Sequence, residues 1–240
     1  MKRTLLLAII GCMLAGTVHA QVTSISFYSD YSAGLSKRIK VTEADAVGGG
    51  LILKYNVMDW FSLNLSAGYI LYSVSQDSAL QKWNWDFWEI RYRNRVTADL
   101  AENPGSAASL VPVQKMDILP VLISFSREFE LTDNLKISPE IGGGVYFYTR
   151  RMYLAESWQR RFDSYGLTYE YSYRNFATNK YGNPAVIFAG AGVRYIITEG
   201  FSLEGSVKYQ QILKTEGAMG YNEFIFENAL STGLALVFSY

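Results

Sequence analysis

The chain has 240 residues, with 22 basic and 22 acidic side chains, one cysteine, one histidine and 18 tyrosines. A balanced charge carries no nucleic-acid footprint, and a lone cysteine excludes an internal disulfide framework. Beyond the N-terminus, no stretch reaches the roughly 18 consecutive apolar residues that a membrane-crossing helix needs.

The N-terminus reads as an address. Lys2 and Arg3 precede an apolar stretch over 4–15, and Val18-His19-Ala20 offers a small-residue cleavage site. Residues 1–20 are therefore expected to be a signal peptide, with Gln21 the first mature residue. Ile9-Ile10-Gly11-Cys12 also resembles a lipoprotein box, which would place a lipid anchor at Cys12. The apolar Met13-Leu14-Ala15 and the better site at Ala20 favour simple cleavage. Loss of residues 1–20 removes Lys2, Arg3, Cys12 and His19, so the mature chain would carry 20 basic against 22 acidic residues and no thiol or imidazole.

Alternation with period two then dominates. Eight strands are predicted, near residues 23–35, 47–57, 61–74, 116–129, 135–153, 184–197, 201–213 and 224–240. In the third, Phe61, Leu63, Leu65, Ala67, Tyr69 and Leu71 oppose Ser62, Asn64, Ser66 and Gly68; in the seventh, Phe201, Leu203, Val207 and Tyr209 oppose Ser202, Glu204, Ser206, Lys208 and Gln210. Three short links are nearly one sentence: Val57-Met58-Asp59-Trp60-Phe61, Leu131-Thr132-Asp133-Asn134-Leu135 and Ile197-Thr198-Glu199-Gly200-Phe201. An acid followed by Asn or Gly suits a tight hairpin. The links at 36–46, 75–115, 154–183 and 214–223 are long, and short and long alternate without exception.

Short turns at one rim and long loops at the other are the pattern of a transmembrane β-barrel. Tyr55, Trp60, Phe61, Phe129, Phe201, Phe238 and Tyr240 fall at the short-turn ends; Phe27, Tyr31, Tyr69, Phe147, Tyr209, Phe224 and Phe226 fall at the others. Leu51, Leu53, Leu63, Leu65, Val121, Ile123, Leu234 and Leu236 lie between them, an aliphatic band flanked by two aromatic girdles. An aromatic-rich secreted β protein with the apolar face inside would show the same period.

Leu234, Leu236, Phe238 and Tyr240 alternate with Ala235, Val237 and Ser239 up to a final aromatic. This ending resembles the signal read by the outer-membrane insertion machinery, although the usual last residue is Phe. On these residues the chain resembles the small eight-stranded outer-membrane barrels, a family that includes the membrane domain of outer-membrane protein A and adhesion or serum-resistance barrels. The resemblance implies an all-β, eight-stranded antiparallel up-and-down barrel over residues 21–240 in the bacterial outer membrane, with periplasmic turns and extracellular loops. It implies outer-membrane lipid and lipopolysaccharide as surroundings and the insertion machinery as a transient partner.

With the apolar faces toward lipid, Asp30, Lys54, Glu140, Arg194, Glu204, Lys208 and Glu227 are expected inside, with Glu128 nearer the rim. Eight strands leave a bore only wide enough for side chains, so these charges either plug it by pairing or line a narrow ion pore. Gly48-Gly49-Gly50, Gly142-Gly143-Gly144 and Gly190-Ala191-Gly192 lie within strands with no helix following, so they read as curvature and room for large neighbours rather than phosphate loops.

Outside, Trp83, Trp85, Trp88, Arg91, Arg93 and Arg95 crowd one loop, and Trp158, Arg160, Arg161, Tyr165, Tyr169, Tyr171, Tyr173 and Arg174 another. They form either a binding rim for a glycan, lipopolysaccharide or surface or envelope protein, or the cross-strand glue of hairpins rising above the membrane. Asn103-Pro104-Gly105-Ser106 should break the first, and Tyr165-Gly166 should turn a hairpin in the second. Enzymatic barrels of this type, as the resemblance goes, use a histidine base, which the mature chain would lack. Only a carboxylate pair such as Glu140 and Glu204 remains for glycoside chemistry. No catalytic residue, cofactor, metal site or nucleic-acid partner is expected. The reading is a non-enzymatic barrel with a structural or surface-interaction role, alternatively a small pore or transporter for ions or apolar solutes, or an accessory barrel of an envelope or secretion complex.

Overall fold

The structure is a computed structural model that describes residues 22–37, 43–58, 60–75, 92–214 and 224–240. The expected signal peptide, Asp59 and the loop residues Trp83, Trp85, Trp88 and Arg91 lie outside those residues.

The strands are β1 (Val22–Lys37), β2 (Glu43–Met58), β3 (Phe61–Ser75), β4 (Ser106–Ser126), β5 (Phe129–Thr132), β6 (Leu135–Phe162), β7 (Leu167–Phe176), β8 (Lys180–Gly182), β9 (Ala185–Thr198), β10 (Phe201–Ile212) and β11 (Phe226–Ser239); one helix, α1, spans Arg93–Glu102. Eight of them close a ring in chain order, β1-β2-β3-β4-β6-β9-β10-β11, every neighbour antiparallel. The ring is sealed by β1 on β11, from Ser24↔Ser239 to Lys37↔Phe226. Closure leaves the wall no unpaired edge, which is the condition for burying strands in lipid.

The three short links are two-residue hairpins, framed by Met58↔Phe61, Thr132↔Leu135 and Thr198↔Phe201. They gather at one rim with both ends of the described chain. Ser239 N–H donates to Gly200 O at 3.0 Å and Tyr240 N–H to Thr23 O at 3.1 Å, tying the last strand to that rim.

The alternation holds around the ring. Phe27, Tyr31, Val47, Leu51, Leu65, Tyr69, Val121, Ile123, Phe147, Tyr209, Leu234 and Leu236 face outward and are exposed. No water-soluble barrel could leave such a continuous apolar belt uncovered, so the inverse, secreted arrangement is excluded. Trp60, Phe61, Phe125, Phe201 and Phe238 make ring contacts near the turn rim, with Arg127 lying 4.8 Å over Phe129. This is a transmembrane barrel of outer-membrane type, with its turns on the periplasmic side and its long loops outside.

Two expected strands are much longer than their alternation suggests. β4 begins at Ser106, ten residues before 116, and β6 runs to Phe162, nine beyond 153. Their upper halves pair with each other, Ser106↔Arg160 to Pro112↔Leu154, and β7 adds to the free side of β6. A membrane strand needs only about 9–11 residues, so this three-stranded sheet stands clear of the bilayer. The hairpin turn falls at Gly166, whose φ of 61° is open to glycine at no steric cost. The Asn103-Pro104-Gly105 break ends a helix instead of a strand: α1 stops at Glu102 and β4 starts at Ser106.

Candidate functional site

The bore has two fillings, stacked from the turn rim outward. The inner one is ionic. Glu128, half-buried in the two-residue break between β4 and β5, accepts from Lys54 and pairs with Arg194 Nη1 at 2.7 Å and, more distantly, with Lys136 Nζ at 3.8 Å. Arg194 also grips Glu204 Oε2 with Nη2 at 2.7 Å and Nε at 2.9 Å. One layer up, Lys208 Nζ meets Glu140 Oε2 at 2.9 Å, and Ser124 donates to the same carboxylate. Glu128 lies outside the spanning strands. Burial alone would raise its pKa, but Arg194, Lys54 and Lys136 outweigh it and hold the carboxyl below the ordinary range.

Glycines make the room. A Cβ at Gly48 would come within 2.5 Å of Asp30 Oδ1, and one at Gly190 within 2.9 Å of Lys208 Cγ. These triplets serve as space for neighbours, as their place within strands implies.

Among the ions lies a cavity of about 80 Å³, bordered by Tyr28, Asp30, Glu140, Arg194, Glu204 and Lys208. A relay of polar groups spans the bore at its far side. Gln210 Nε2 donates to Ser231 Oγ at 2.9 Å, Ser231 to Ser32 at 3.1 Å, Ser32 shares a proton with Tyr72 Oη at 2.6 Å, and Tyr146 Oη closes onto Gln210 Oε1. Five strands contribute one side chain each, so no strand can shift without breaking the relay.

Beyond the relay the filling is apolar. Phe224, Ile225 and Phe226 are 0% exposed and pack with Tyr72, Tyr146, Tyr148, Met116, Ile118 and Ile212. Phe226 lies 4.9 Å from Tyr72 and 4.9 Å from Phe224, which meets Tyr148 edge-on at 5.2 Å. This corrects one expectation: Phe224 and Phe226 belong to the interior and not to the outer girdle. The cause is a register shift where β11 meets β1, between Gly34↔Ala229 and Lys37↔Phe226, which swings residue 226 inward.

Six of the seven expected interior charges therefore line the bore: Asp30, Lys54, Glu140, Arg194, Glu204 and Lys208. Glu227 does not; it sits half-buried at the outer end of β11 beside the shift, away from that cavity. The apolar half went unread, although Phe224-Ile225-Phe226 breaks the alternation and was the available signal.

The projecting sheet redistributes the expected binding residues. Trp158 is only 5% exposed, and its indole N–H donates to Glu156 Oε2 at 3.0 Å. Glu156, at 1% exposure, also accepts from Tyr92 and Asn175, so three donors satisfy one buried carboxylate. Burial, and then the bond to Glu156, push the Tyr92 phenol well above its usual range. Arg160 Nη2 is 2.6 Å from Asp99 Oδ2, which pins α1 against β6. Trp158 and Arg160 are thus fasteners of the sheet and do not stand free as a binding rim. Arg93 and Arg95 lie on the exposed face of α1, with Tyr165, Tyr169 and Tyr173 exposed at the tip and along β7.

Among the described residues no cluster of three His, Cys, Asp or Glu could hold a metal. Glu140 and Glu204, the carboxylate pair singled out for glycoside chemistry, are each committed to a cation.

No protein-family model matches this sequence, and no curated relative matches it either. Among solved structures, the chain is similar to surface protein A of Neisseria, at 11% identity over 92% of this chain and 99% of that one, with a TM-score of 0.49. It is also similar to Ail, the attachment invasion locus protein of Yersinia pestis, at 10% identity over 91% and 97%, TM-score 0.43. A major outer membrane protein of Thermus thermophilus follows at 11% identity over 90% and 99%, TM-score 0.45.

Proposed function

We propose that this barrel is a non-catalytic surface-recognition protein: a plugged membrane anchor that raises a three-stranded sheet and its capping helix outside the cell. The observation that carries this reading is the pairing of a bore blocked by fully buried Phe224, Ile225 and Phe226 with strands β4, β6 and β7 that continue past the membrane. Transport would need that apolar block to leave the bore. Recognition needs nothing to move.

The exposed rings of Tyr165 and Tyr169 suit stacking on sugars, and the guanidinium of Arg95 suits phosphate. Lipopolysaccharide combines both chemistries and surrounds the rim. The paired double variant Tyr165→Ala with Arg95→Ala should weaken binding of purified lipopolysaccharide about tenfold, a loss of about 1.4 kcal/mol, while the barrel keeps its heat-modifiable migration. Binding unchanged by the double variant would refute the reading.

A further inference from the structure

Strand β7 is an edge. It pairs with β6 from Phe162↔Leu167 to Tyr153↔Phe176, and among the described residues no strand pairs with its other side. An exposed edge presents a row of N–H and C=O groups ready to template another strand, and natural sheets blunt such edges with lysine, proline, bulges or brevity. Apart from one Glu and one Arg of opposite sign, β7 carries no such device. Its ten residues, Leu-Thr-Tyr-Glu-Tyr-Ser-Tyr-Arg-Asn-Phe, contain no lysine or proline and run against β6 without a register shift.

The sequence of this edge is complementary to itself when reversed. Two β7 strands laid antiparallel about Ser172 set Glu170 of each opposite Arg174 of the other. The same register sets Tyr171 opposite Tyr173, twice. Unlike charges and paired rings directly across a ladder are the combinations that stabilise one. Both charged residues are exposed, and β6 holds them on one face: Gln159 Nε2 donates to Glu170 Oε1 at 3.0 Å, and the Arg174 guanidinium lies 5.3 Å over the Tyr153 ring. Such a contact is isologous, each copy offering the same patch.

Symmetry then fixes where the second copy stands. The two-fold axis that joins two antiparallel edges into one sheet runs along the sheet normal. β6 is unbroken from the barrel wall to Phe162, so the projecting sheet extends the wall and its normal lies in the plane of the membrane. A two-fold in that plane inverts one barrel relative to the other. Neighbours in one membrane cannot meet this condition, whereas barrels in two facing membranes can.

We propose that β7 is a homophilic docking edge, joining copies of this chain on apposed membranes through an antiparallel strand pair centred on Ser172. The inference rests on the surface-recognition reading, whose own test reads lipopolysaccharide binding and not membrane clustering. One ten-residue pairing is weak, but apposed membranes engage many at once, and effective concentration multiplies them.

The test uses the full chain reconstituted into phosphatidylcholine vesicles in two fluorescent colours. Wild-type vesicles should cluster with each other and not with protein-free vesicles. Glu170→Arg and Arg174→Glu vesicles should each cluster at least tenfold more slowly among themselves. Mixing the two variants should restore clustering, because unlike charges again oppose each other at both positions, and this rescue also shows that both variants fold. Ser172→Cys should yield a disulfide-linked dimer between vesicles under oxidation, and Thr178→Cys should not. Absence of wild-type clustering, clustering with bare lipid, clustering indifferent to either charge reversal, or failure of the mixed pair would each overturn the proposal. Loss of clustering with lipopolysaccharide binding intact would leave the broader recognition reading standing.

Discussion

The inner and outer halves of the bore are lined by the same eight strands yet solve the filling problem in opposite ways. Near the turns, Lys54 and Arg194 face Glu128 and Glu204 in one linked set of ion pairs, and Lys208 faces Glu140 in a separate pair. Near the loops, Phe224, Ile225 and Phe226 pack on Tyr72, Tyr146 and Met116 as a small hydrophobic core. The difference follows from access. The turn rim opens to a vestibule of about 320 Å³ bordered by Lys54, Glu128, Lys136 and Arg194, so charges there keep part of their solvation. The loop end is filled by the inward residues of β11, with Phe224, Ile225 and Phe226 wholly buried, where unsolvated charge would be costly and apolar burial is favourable. An anchor thus needs two kinds of stopper: ions to set strand register at the wet end, and a core to seal the dry one.

The comparison breaks most visibly at Phe226. Phe226→Ala should cost about 3–5 kcal/mol, the range for emptying a large aromatic from a core, read as denaturant unfolding in detergent micelles. A cost below about 1 kcal/mol would mean that the outer half is not packed as a core.

A smaller effect is expected where the wall makes room for the bore. Gly48→Ala drives a Cβ to within 2.5 Å of Asp30 Oδ1 and 2.9 Å of Ile70 Cγ1, and should destabilise by about 1–3 kcal/mol, as overpacking does. Gly205→Ala, whose nearest neighbour would be Leu234 Cδ2 at 3.9 Å, is the control and should change little. Equal effects at the two positions would contradict the steric account.

The smallest effect belongs to the ionic half. Glu128→Gln should cost about 1–2 kcal/mol, below the figure for a fully buried pair because water reaches this rim. The pH dependence has the same origin. Because the Glu128 carboxyl titrates lower in the folded barrel than its ordinary 4.5, its stabilisation is complete above that value and is lost as the pH falls through the depressed one. Glu128→Gln should therefore remove part of the acid-induced loss of stability and leave the Phe226→Ala cost untouched at either pH.

How far the sequence foretold these halves depends on which period each residue obeyed. Asp30, Lys54, Glu140, Arg194, Glu204 and Lys208 sit at inward steps of unbroken alternation, so their place in the bore was legible. The two-residue turns were legible too, two of them from acid-Asn and acid-Gly pairs and Asp59-Trp60 from the alternation on both of its sides. Phe226 was not, since the register shift at Gly34 and Ala229 reverses the inward parity, and the one local sign of it is the unbroken apolar run Phe224-Ile225-Phe226. The protruding hairpin was legible at Tyr165-Gly166, but the full lengths of β4 and β6 were not, because alternation there mixes charged and aromatic residues, as in Glu156 and Trp158, whose partners Tyr92 and Asn175 come from elsewhere in the chain. Side-chain roles set by distant partners leave no local trace, which is why the sequence left Trp158 and Arg160 open between contact residues and hairpin glue, and the structure makes them fasteners.

The sealed outer half is tested most directly by single-channel recording on the purified chain in planar bilayers. Wild type should show no stepwise conductance, and Phe224→Ala with Phe226→Ala should produce it by opening the apolar layer above the ion pairs. Steady conductance through the wild-type barrel would contradict a plugged bore and, with it, the anchor on which the recognition reading stands.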